Sequence, residues 1–202
     1  MTTEKTFTIA KPLRHELKIK RSSFIGSIAP AENKDSAEDY IQTIRTEFQD
    51  ASHNCFGYRI DRHVFRYYDD GEPASTAGRP ILAMIDKYAL LKSAVVVTRY
   101  FGGTKLGIGG LISAYSQCAE ETILRAEKIE LIDYQYYKLT YSYKLARQIE
   151  YIVAQYQGDI SKSDYQAAVT SHLRIPSAER ERFEKELTNT GSGRIDINPL
   201  EG

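Results

Sequence analysis

The chain of 202 residues is long enough for one or two domains with a substantial apolar core. Its 27 lysine and arginine residues equal its 27 aspartate and glutamate residues. The resulting zero net charge excludes a protein that is basic over its whole surface and coats nucleic acid. The two cysteines fit neither a disulfide framework nor a zinc-ligand pattern. Because no signal segment and no apolar run of membrane-spanning length is present, we expect a soluble, cytoplasmic protein with no membrane contact, metal or cofactor.

The first third of the chain predicts four short strands and one helix. Residues 15–29 are typical of two strands joined by a polar turn. A helix follows, with Asp35 or Ser36 as its expected N-terminal cap and an apolar stripe on one face. Residues 55–68 indicate a second pair of strands, again joined by a polar turn.

Residues 69–73 form an acidic loop, DDGEP, because a glycine and a proline beside three carboxylates exclude a central strand. Clustered carboxylates can bind a hard cation or perform acid–base chemistry. Aspartate and glycine are also good turn formers, so a solvated turn is the preferred interpretation. Two residues apart on a strand, His53 and Cys55 point the same way, and we interpret them as a packed thiol with a polar neighbour. The candidate catalytic residues are His53, Asp69, Asp70 and Glu72.

The chain is organised around a strand, a glycine-rich loop and a helix. After a predicted helix at residues 80–91, the apolar, β-branched run 94–97 is short enough for a buried strand. The glycine-rich loop, residues 101–110, carries five glycines and leads into a helix that runs to about residue 128. The first N–H groups of a helix lack internal partners, and the helix dipole favours negative charge there. This arrangement can therefore present backbone amides to an anion.

Arg99 and Lys105 flank the glycine-rich loop, and we expect them to add mobile positive charge. Residues 76–118 hold five basic residues and one acidic residue, so a local basic face is compatible with zero net charge. Glycines also serve tight turns and close packing, and their spacing here matches no nucleotide-binding fingerprint. Both interpretations of the loop stay open. The predicted binding residues are Arg99, Tyr100, Phe101, Gly102, Gly103, Lys105, Gly107, Gly109 and Gly110.

The last third of the chain has a different pattern that predicts a separate domain. Residues 129–135 are expected to be a connector. The pattern then predicts, in order, a strand of alternating polar and apolar residues, a helix that Ser142 can cap, two more strands, a second helix and a final strand at residues 194–197. This β-α-β-β-α-β order is that of the ferredoxin-like split unit. We therefore expect an α+β protein with domains at residues 1–130 and 131–202.

Five segments of the first domain resemble the signature blocks of the YigZ/IMPACT family. They are ASHNC at 51–55, DDGEP at 69–73, TAG at 76–78, TRYFGG with KLG at 98–107, and GGL with AY at 109–115. Two positions depart from the family pattern. Ser75 stands where a glycine is usual, and Ser113 stands where a basic residue is usual, which weakens the expectation that this helix contacts phosphate.

The resemblance implies an N-terminal domain with the ribosomal-protein domain 2-like fold, which also forms domain IV of elongation factor G. It implies a ferredoxin-like C-terminal domain similar to domain V of the same factor. Eukaryotic members of the family regulate translation by restraining the starvation-activated initiation-factor kinase, through its ribosome-associated activator. For bacterial members, the resemblance indicates the fold more closely than the biochemical role.

Three functions are compatible with the sequence. The first is a translation-associated regulator that binds RNA, the ribosome or a translation-related protein through the basic glycine-rich loop. The second is an enzyme acting on a phosphorylated or peptide-like small molecule, favoured if His53, the acidic loop and the glycine-rich loop line one cleft. The third is a protein–protein adaptor that docks through the ferredoxin-like sheet. We expect binding rather than catalysis, and the oligomeric state is left open.

Overall fold

The computed structural model describes residues 5–191 and 193–200. The chain divides into two compact units, which we call the N-terminal unit (Lys5–Leu131) and the C-terminal unit (from Ile132 onward). Both combine helices with antiparallel sheets, which confirms the predicted α+β class. Across the described residues, no helix has both the length and the apolar character needed to cross a membrane.

One antiparallel sheet and three helices make up most of the N-terminal unit. In chain order its elements are β1 (Thr6–Ile9), β2 (Leu13–Ile19), β3 (Ser22–Pro30), α1 (Lys34–Glu47), β4 (His53–Arg59), β5 (Phe65–Tyr68), α2 (Gly78–Lys87), β6 (Ser93–Tyr100), α3 (Gly107–Arg125) and β7 (Lys128–Leu131). The sheet has the order β2-β3-β6-β4-β5. The strands β1 and β7 form a separate antiparallel pair.

The central strand β6 is buried on both faces. Val95 and Val97 belong to the core shared with α2 and α3, whereas Ala94 and Val96 belong to the core under α1. Because successive side chains of a strand point to opposite faces, the part of a strand that helices cover on both sides is apolar on both faces. The sheet therefore lies between α1 and the pair α2 and α3, and its central strand leads directly into the glycine-rich loop.

Helix α1 begins earlier than the sequence analysis predicts. Asn33 is its N-terminal cap, and the Asn33 Oδ1 atom accepts a hydrogen bond of 2.9 Å from the backbone N–H of Ser36. The backbone N–H of Asn33 in turn donates to the Ser36 hydroxyl at 3.1 Å, which completes a capping box. The prediction of Asp35 or Ser36 as the cap was wrong because Asn33 offers the same kind of acceptor one turn earlier.

The pair formed by β1 and β7 was not predicted. Residues 128–131, most of them expected to be a connector, form β7, and Thr6 lies opposite Leu131. Helix α2 ends at Lys87 rather than near residue 91, because the backbone beyond it turns to meet β1. The N–H of Phe7 donates to the carbonyl of Ala89, and the N–H of Leu91 donates to the carbonyl of Phe7.

The C-terminal unit follows the predicted β-α-β-β-α-β order. Its elements are β8 (Tyr134–Tyr141), α4 (Ala146–Gln155), β9 (Asp159–Tyr165), β10 (Val169–Pro176), α5 (Arg180–Gly191) and β11 (Asp196–Leu200). The sheet is antiparallel with the order β11-β8-β10-β9, and both helices contribute to one core on the sheet. This is the topology of the split β-α-β-β-α-β unit.

Two local features of the C-terminal unit differ from the prediction. The side chain of Ser142 does not cap a helix; instead a short 3₁₀ turn, Tyr143–Leu145, leads into α4. The final strand lies at Asp196–Leu200 rather than at residues 194–197. The chain first turns after α5, where the N–H of Arg194 donates to the carbonyl of Gly191 at 2.9 Å.

Gly26 on β3 is required by the close approach of α3. An ideal Cβ at this position would lie 2.0 Å from Thr122 Oγ1 and 3.2 Å from Cys118 Sγ. We therefore expect Gly26→Ala to lower the free energy of unfolding by about 1–3 kcal/mol through overpacking. Urea denaturation of the purified protein measures this change.

A second substitution tests the stated cause. Thr122→Ala removes the clashing hydroxyl, so the double variant should recover part of the stability that Gly26→Ala loses. The matched control is Gly109→Ala, because a Cβ at Gly109 meets nothing within 4 Å. Equal losses for the Gly26 and Gly109 variants would contradict the packing argument.

Candidate functional site

A cleft of about 270 Å³ opens where the acidic loop, the end of β6 and the glycine-rich loop meet. Its walls come from four parts of the N-terminal unit, the last being the first turns of α3. The lining residues are Glu72, Pro73, Arg99, Phe101, Lys105, Leu106, Gly107, Ile108 and Leu111. The structure thus brings one predicted catalytic residue and several predicted binding residues into the same cavity.

Arg99 and Glu72 form a buried ion pair in this cleft. Arg99 Nη1 donates to Glu72 Oε1 at 2.5 Å, and the two side chains are only 5% and 4% exposed. The Tyr115 hydroxyl donates to the same carboxylate oxygen at 2.8 Å. The prediction that Arg99 is a mobile surface cation was wrong, because it lies within β6 and its side chain is enclosed by the protein.

Two aromatic rings hold the Arg99 guanidinium. Its central carbon lies 5.4 Å from the centroid of Phe24 and 5.5 Å from that of Phe101. Phe24 is fully buried and Phe101 is 49% exposed, so Phe101 forms the outer cover. Arg99 Nε is buried and has no hydrogen-bond partner among the described residues. The guanidinium is therefore fixed in place while one of its donors stays unsatisfied.

The carboxylates of the acidic loop are engaged with the protein. Asp69 accepts hydrogen bonds from the backbone N–H groups of Ser75, Ala77 and Gly78 at 2.8–3.0 Å. Asp70 accepts from the backbone N–H of Asn54 at 2.6 Å and from Arg45 Nη2 at 2.9 Å.

The loop is a turn, as preferred from the sequence, but it is not a solvated one. Asp69 organises the approach to α2, Asp70 ties the loop to α1 and β4, and Glu72 is buried.

His53 lies on β4 beside this network. Its Nδ1 atom is 2.8 Å from the carbonyl oxygen of Asp70, which can only accept, so Nδ1 carries the proton. The other nitrogen, Nε2, lies 3.9 Å from Glu72 Oε1. The four candidate catalytic residues are therefore neighbours, although Glu72 alone of them lines the cleft.

Neither cysteine is positioned as a nucleophile. The Cys55 thiol is buried and donates to the carbonyl oxygen of Asp69 at 3.0 Å. Burial raises the pKa of the Cys55 thiol well above its ordinary value, and burial raises the pKa of Cys118 to about 12. A search of residues 5–191 and 193–200 finds no group of three or more side chains that could hold a metal ion.

The amides of the glycine-rich loop fall into two groups. Directly after β6, the N–H of Phe101 donates to the Ser52 hydroxyl and that of Gly102 donates to the Ser22 hydroxyl. By contrast, no side chain in the described part of the chain caps the first turn of α3. The backbone amides that can receive an anion are therefore those of the helix start, beginning at Gly107.

Three glycines leave space in front of this loop. An ideal Cβ at Gly103, Gly107 or Gly109 meets no atom within 4 Å, and the first two have positive φ angles of 81° and 74°. Gly102 instead serves close packing, because its Cβ would lie 1.8 Å from the carbonyl oxygen of Arg21. Gly110 is helical and packs beside Leu106.

Tyr100 lies outside the cleft. It follows Arg99 on β6, so its side chain points to the opposite face of the sheet, where its hydroxyl donates to Asp50 Oδ1 at 2.8 Å.

Tyr115 was not predicted from the sequence as a member of the network, because an aromatic residue on a buried helix face is typical of apolar packing. A buried tyrosine hydroxyl needs a partner, and that requirement is the signal that pointed to a polar group beneath the helix.

The Arg99–Glu72 pair generates a stability prediction. Replacing one member of a buried pair leaves the other charge unmatched, so Glu72→Ala should cost about 3–5 kcal/mol of unfolding free energy. The exposed pair Lys92–Glu32, with an N–O distance of 2.7 Å, offers a control. Glu32→Ala should cost about 1 kcal/mol or less.

Chemical denaturation measures both variants. If Glu72→Ala does not fold, Glu72→Gln keeps acceptors for Arg99 and Tyr115 and permits the measurement. If Glu72→Ala lowers the free energy of unfolding by no more than Glu32→Ala does, the Arg99–Glu72 pair does not hold the cleft together.

The thiol environments generate a second prediction. Because both pKa values are raised, the thiolate fraction at about pH 8 is very small, and both sulfurs are enclosed. We expect no reaction with a disulfide reagent in the native protein and two reactive thiols in denaturant. Rapid labelling of Cys55 before unfolding would contradict this assignment and revive a nucleophilic role.

Comparisons with known proteins agree with the resemblance seen in the sequence. The profile of the Impact N-terminal domain matches residues 20–123, and that of a domain of unknown function, DUF1949, matches residues 139–194. A crystal structure titled only as that of a hypothetical protein is 30% identical, with a TM-score of 0.64 over 98% of both chains.

Two bacterial relatives match over most of their length. The IMPACT family member YigZ of Escherichia coli is 32% identical over 95% of this chain and 96% of its own. The IMPACT family member YvyE of Bacillus subtilis is 32% identical over 95% of this chain and 89% of its own. An IMPACT family member from Thermus thermophilus is 43% identical over 57% of this chain and 63% of its own. The predicted family is confirmed, and the chain belongs to the IMPACT family.

Proposed function

We propose that this protein is a translation-related regulator whose N-terminal unit binds RNA, free or on the ribosome, beside the glycine-rich loop. Membership of the IMPACT family supports a translation-related role in general terms. A likeness of the two units to domains IV and V of elongation factor G, and a cytoplasmic location, are part of this proposal.

The observation that carries the proposal is a group of exposed cations around the loop, which we call the basic rim: Lys20, Arg21 and Lys105. Lys20 and Arg21 form the turn between β2 and β3, and the backbone of Arg21 lies against Gly102. In the part of the chain that the structure describes, none of the three takes part in an ion pair, unlike Arg14, Arg45, Arg59, Arg66, Lys87 and Lys92. Unpaired cations beside an uncapped helix start suit a polyanion.

An exposed aromatic ring adds a second kind of contact. Phe101 stands at the head of the glycine-rich loop and is 49% exposed. Bases of a single-stranded nucleic acid stack on such rings without regard to sequence. The combination supports binding through phosphates with little sequence preference.

The internal contacts of the acidic loop favour binding over catalysis. Asp69 and Asp70 are saturated by backbone and arginine donors, and Glu72 is paired with Arg99. These contacts hold the loop in shape and leave its first two carboxylates without a free face toward the cleft.

A second candidate, an enzyme acting on a phosphorylated or peptide-like small molecule, has one observation in its favour. Glu72 and the glycine-rich loop line the same cleft, with His53 Nε2 3.9 Å from the carboxylate. Because Nδ1 donates to the Asp70 carbonyl, Nε2 of the neutral ring offers the lone pair that a general base needs. Turnover of a substrate that is abolished by His53→Gln would establish this function.

The regulator proposal predicts a specific loss of RNA affinity. The triple variant Lys20→Ala/Arg21→Ala/Lys105→Ala should bind single-stranded oligo(U) more weakly, and its log–log salt slope should fall by about 2, since each phosphate contact contributes about 0.7. Fluorescence anisotropy across a salt series measures both quantities. Arg99 is left unchanged, because its loss would remove the buried pair.

The control variant is Lys34→Ala/Arg62→Ala/Lys185→Ala, which removes the same charge at exposed positions elsewhere. It should keep the wild-type salt slope. Equal behaviour of the two triple variants, or wild-type protein that does not bind the oligonucleotide even at low salt, would reject the proposal.

A further inference from the structure

We propose that the cleft between Arg99 and the start of α3 is a binding site for a small organic anion, a carboxylate or phosphate ester that carries an apolar group. The cleft shares Lys105 with the basic rim, but the proposal does not depend on RNA binding. It uses donors and apolar surfaces that the buried ion pair leaves free.

The free edge of the Arg99 guanidinium is the first part of the argument. Only Nη1 of the guanidinium forms a hydrogen bond within residues 5–191 and 193–200, and its acceptor is Glu72. Nε and Nη2, which share one edge of the planar group, are left over, and Nε is buried. Nη2 is not among the enclosed atoms, so it is the donor group that can serve an oxygen of a carboxylate or phosphate group.

The start of α3 is an independent second part. The N-terminal cap position, Leu106, has no side chain that could accept from the first turn, and Gly107 leaves open space. Arg99, Gly107 and Ile108 line the same cavity. The cavity is therefore bordered both by an arginine with an unused N–H donor group and by the backbone amides of a helix start, which suit an anionic group.

The charges that face the cleft favour an anion of low charge. The negative charge of Glu72 balances the positive charge of Arg99. Lys105 and the positive end of the α3 dipole therefore supply the excess positive charge at the cleft. Glu72 also repels a highly charged ligand from the deep end of the cavity. A monoanion or a phosphate ester fits this balance better than a polyphosphate.

The remaining walls of the cleft are mostly apolar and favour a ligand with an apolar group. Pro73, Phe101, Ile108 and Leu111 line the cleft, and Ile108 is 65% exposed at the first turn of α3. The volume of about 270 Å³ lies just below the range of about 300–1,000 Å³ that is usual for small-molecule sites. A ligand about the size of a substituted benzene ring with one anionic group is therefore expected.

Titration of ¹⁵N-labelled protein with benzoate, phenyl phosphate and neutral benzamide tests this inference. We expect saturable shifts of the amide signals of Gly107, Ile108 and Gly109 with at least one of the two anions. Benzamide should bind at least about tenfold more weakly, because it lacks the charge. The better of the two anions identifies the headgroup.

One pair of variants separates the cleft from general electrostatics. Ile108→Glu places a carboxylate in the first turn of α3, where the helix dipole favours it, so the fold should persist while anion affinity falls by about tenfold or more. Ser113→Glu adds the same charge to an exposed position of α3 that does not line the cleft. The affinity of the Ser113→Glu variant for the anion should stay within about twofold of that of the wild-type protein, because exposed charges at a distance are screened by salt.

Three results would overturn the inference: no saturable shift with either anion, equal affinity for benzamide, or equal affinity of the Ile108→Glu and wild-type proteins. Oligo(U) binding is measured in parallel on the same samples. Loss of the anion site with retained RNA binding rejects this inference alone, and the reverse result rejects the regulator proposal alone.

Discussion

The buried contact between Arg99 and Glu72 constrains the whole candidate site. It joins the end of the central strand to the acidic loop, and Tyr115 brings α3 to the same carboxylate. A buried pair of charges is costly to desolvate and seldom adds much stability by itself, but it permits few alternative arrangements. A single oxygen atom, Glu72 Oε1, therefore connects three parts of the site: the end of β6, the acidic loop and α3.

The parts of the fold that follow from local pattern could be predicted from the sequence. The apolar run around Val95 predicts a buried strand, and the alternation from Tyr137 predicts the first strand of the C-terminal unit. Helix ends were harder, because Asn33, Asp35 and Ser36 are all competent caps and the choice depends on the chain that precedes them.

The parts of the site that depend on distant contacts could not be predicted. Glu72 is 27 residues from Arg99 and 43 from Tyr115. A charged residue beside a glycine-rich loop is usually exposed. The burial of Arg99 could not be predicted, because it depends on the sheet, which places the Arg99 guanidinium under Phe101. The proposed ligand site has the same origin: its donors are the ones left over after the long-range contacts are made.

The pairing of β1 with β7 has a consequence for how the protein is made. Lys5 Nζ and Glu130 Oε2 lie 2.9 Å apart although 125 residues separate them in the chain. Phe7 can bond to Ala89 and Leu91 once those residues are made, but the strand pairing of β1 waits for residues 128–131. Contacts between residues so far apart form late and slowly. The pairing of β1 with β7 is therefore a late event in folding, and it marks the moment when the N-terminal unit is complete.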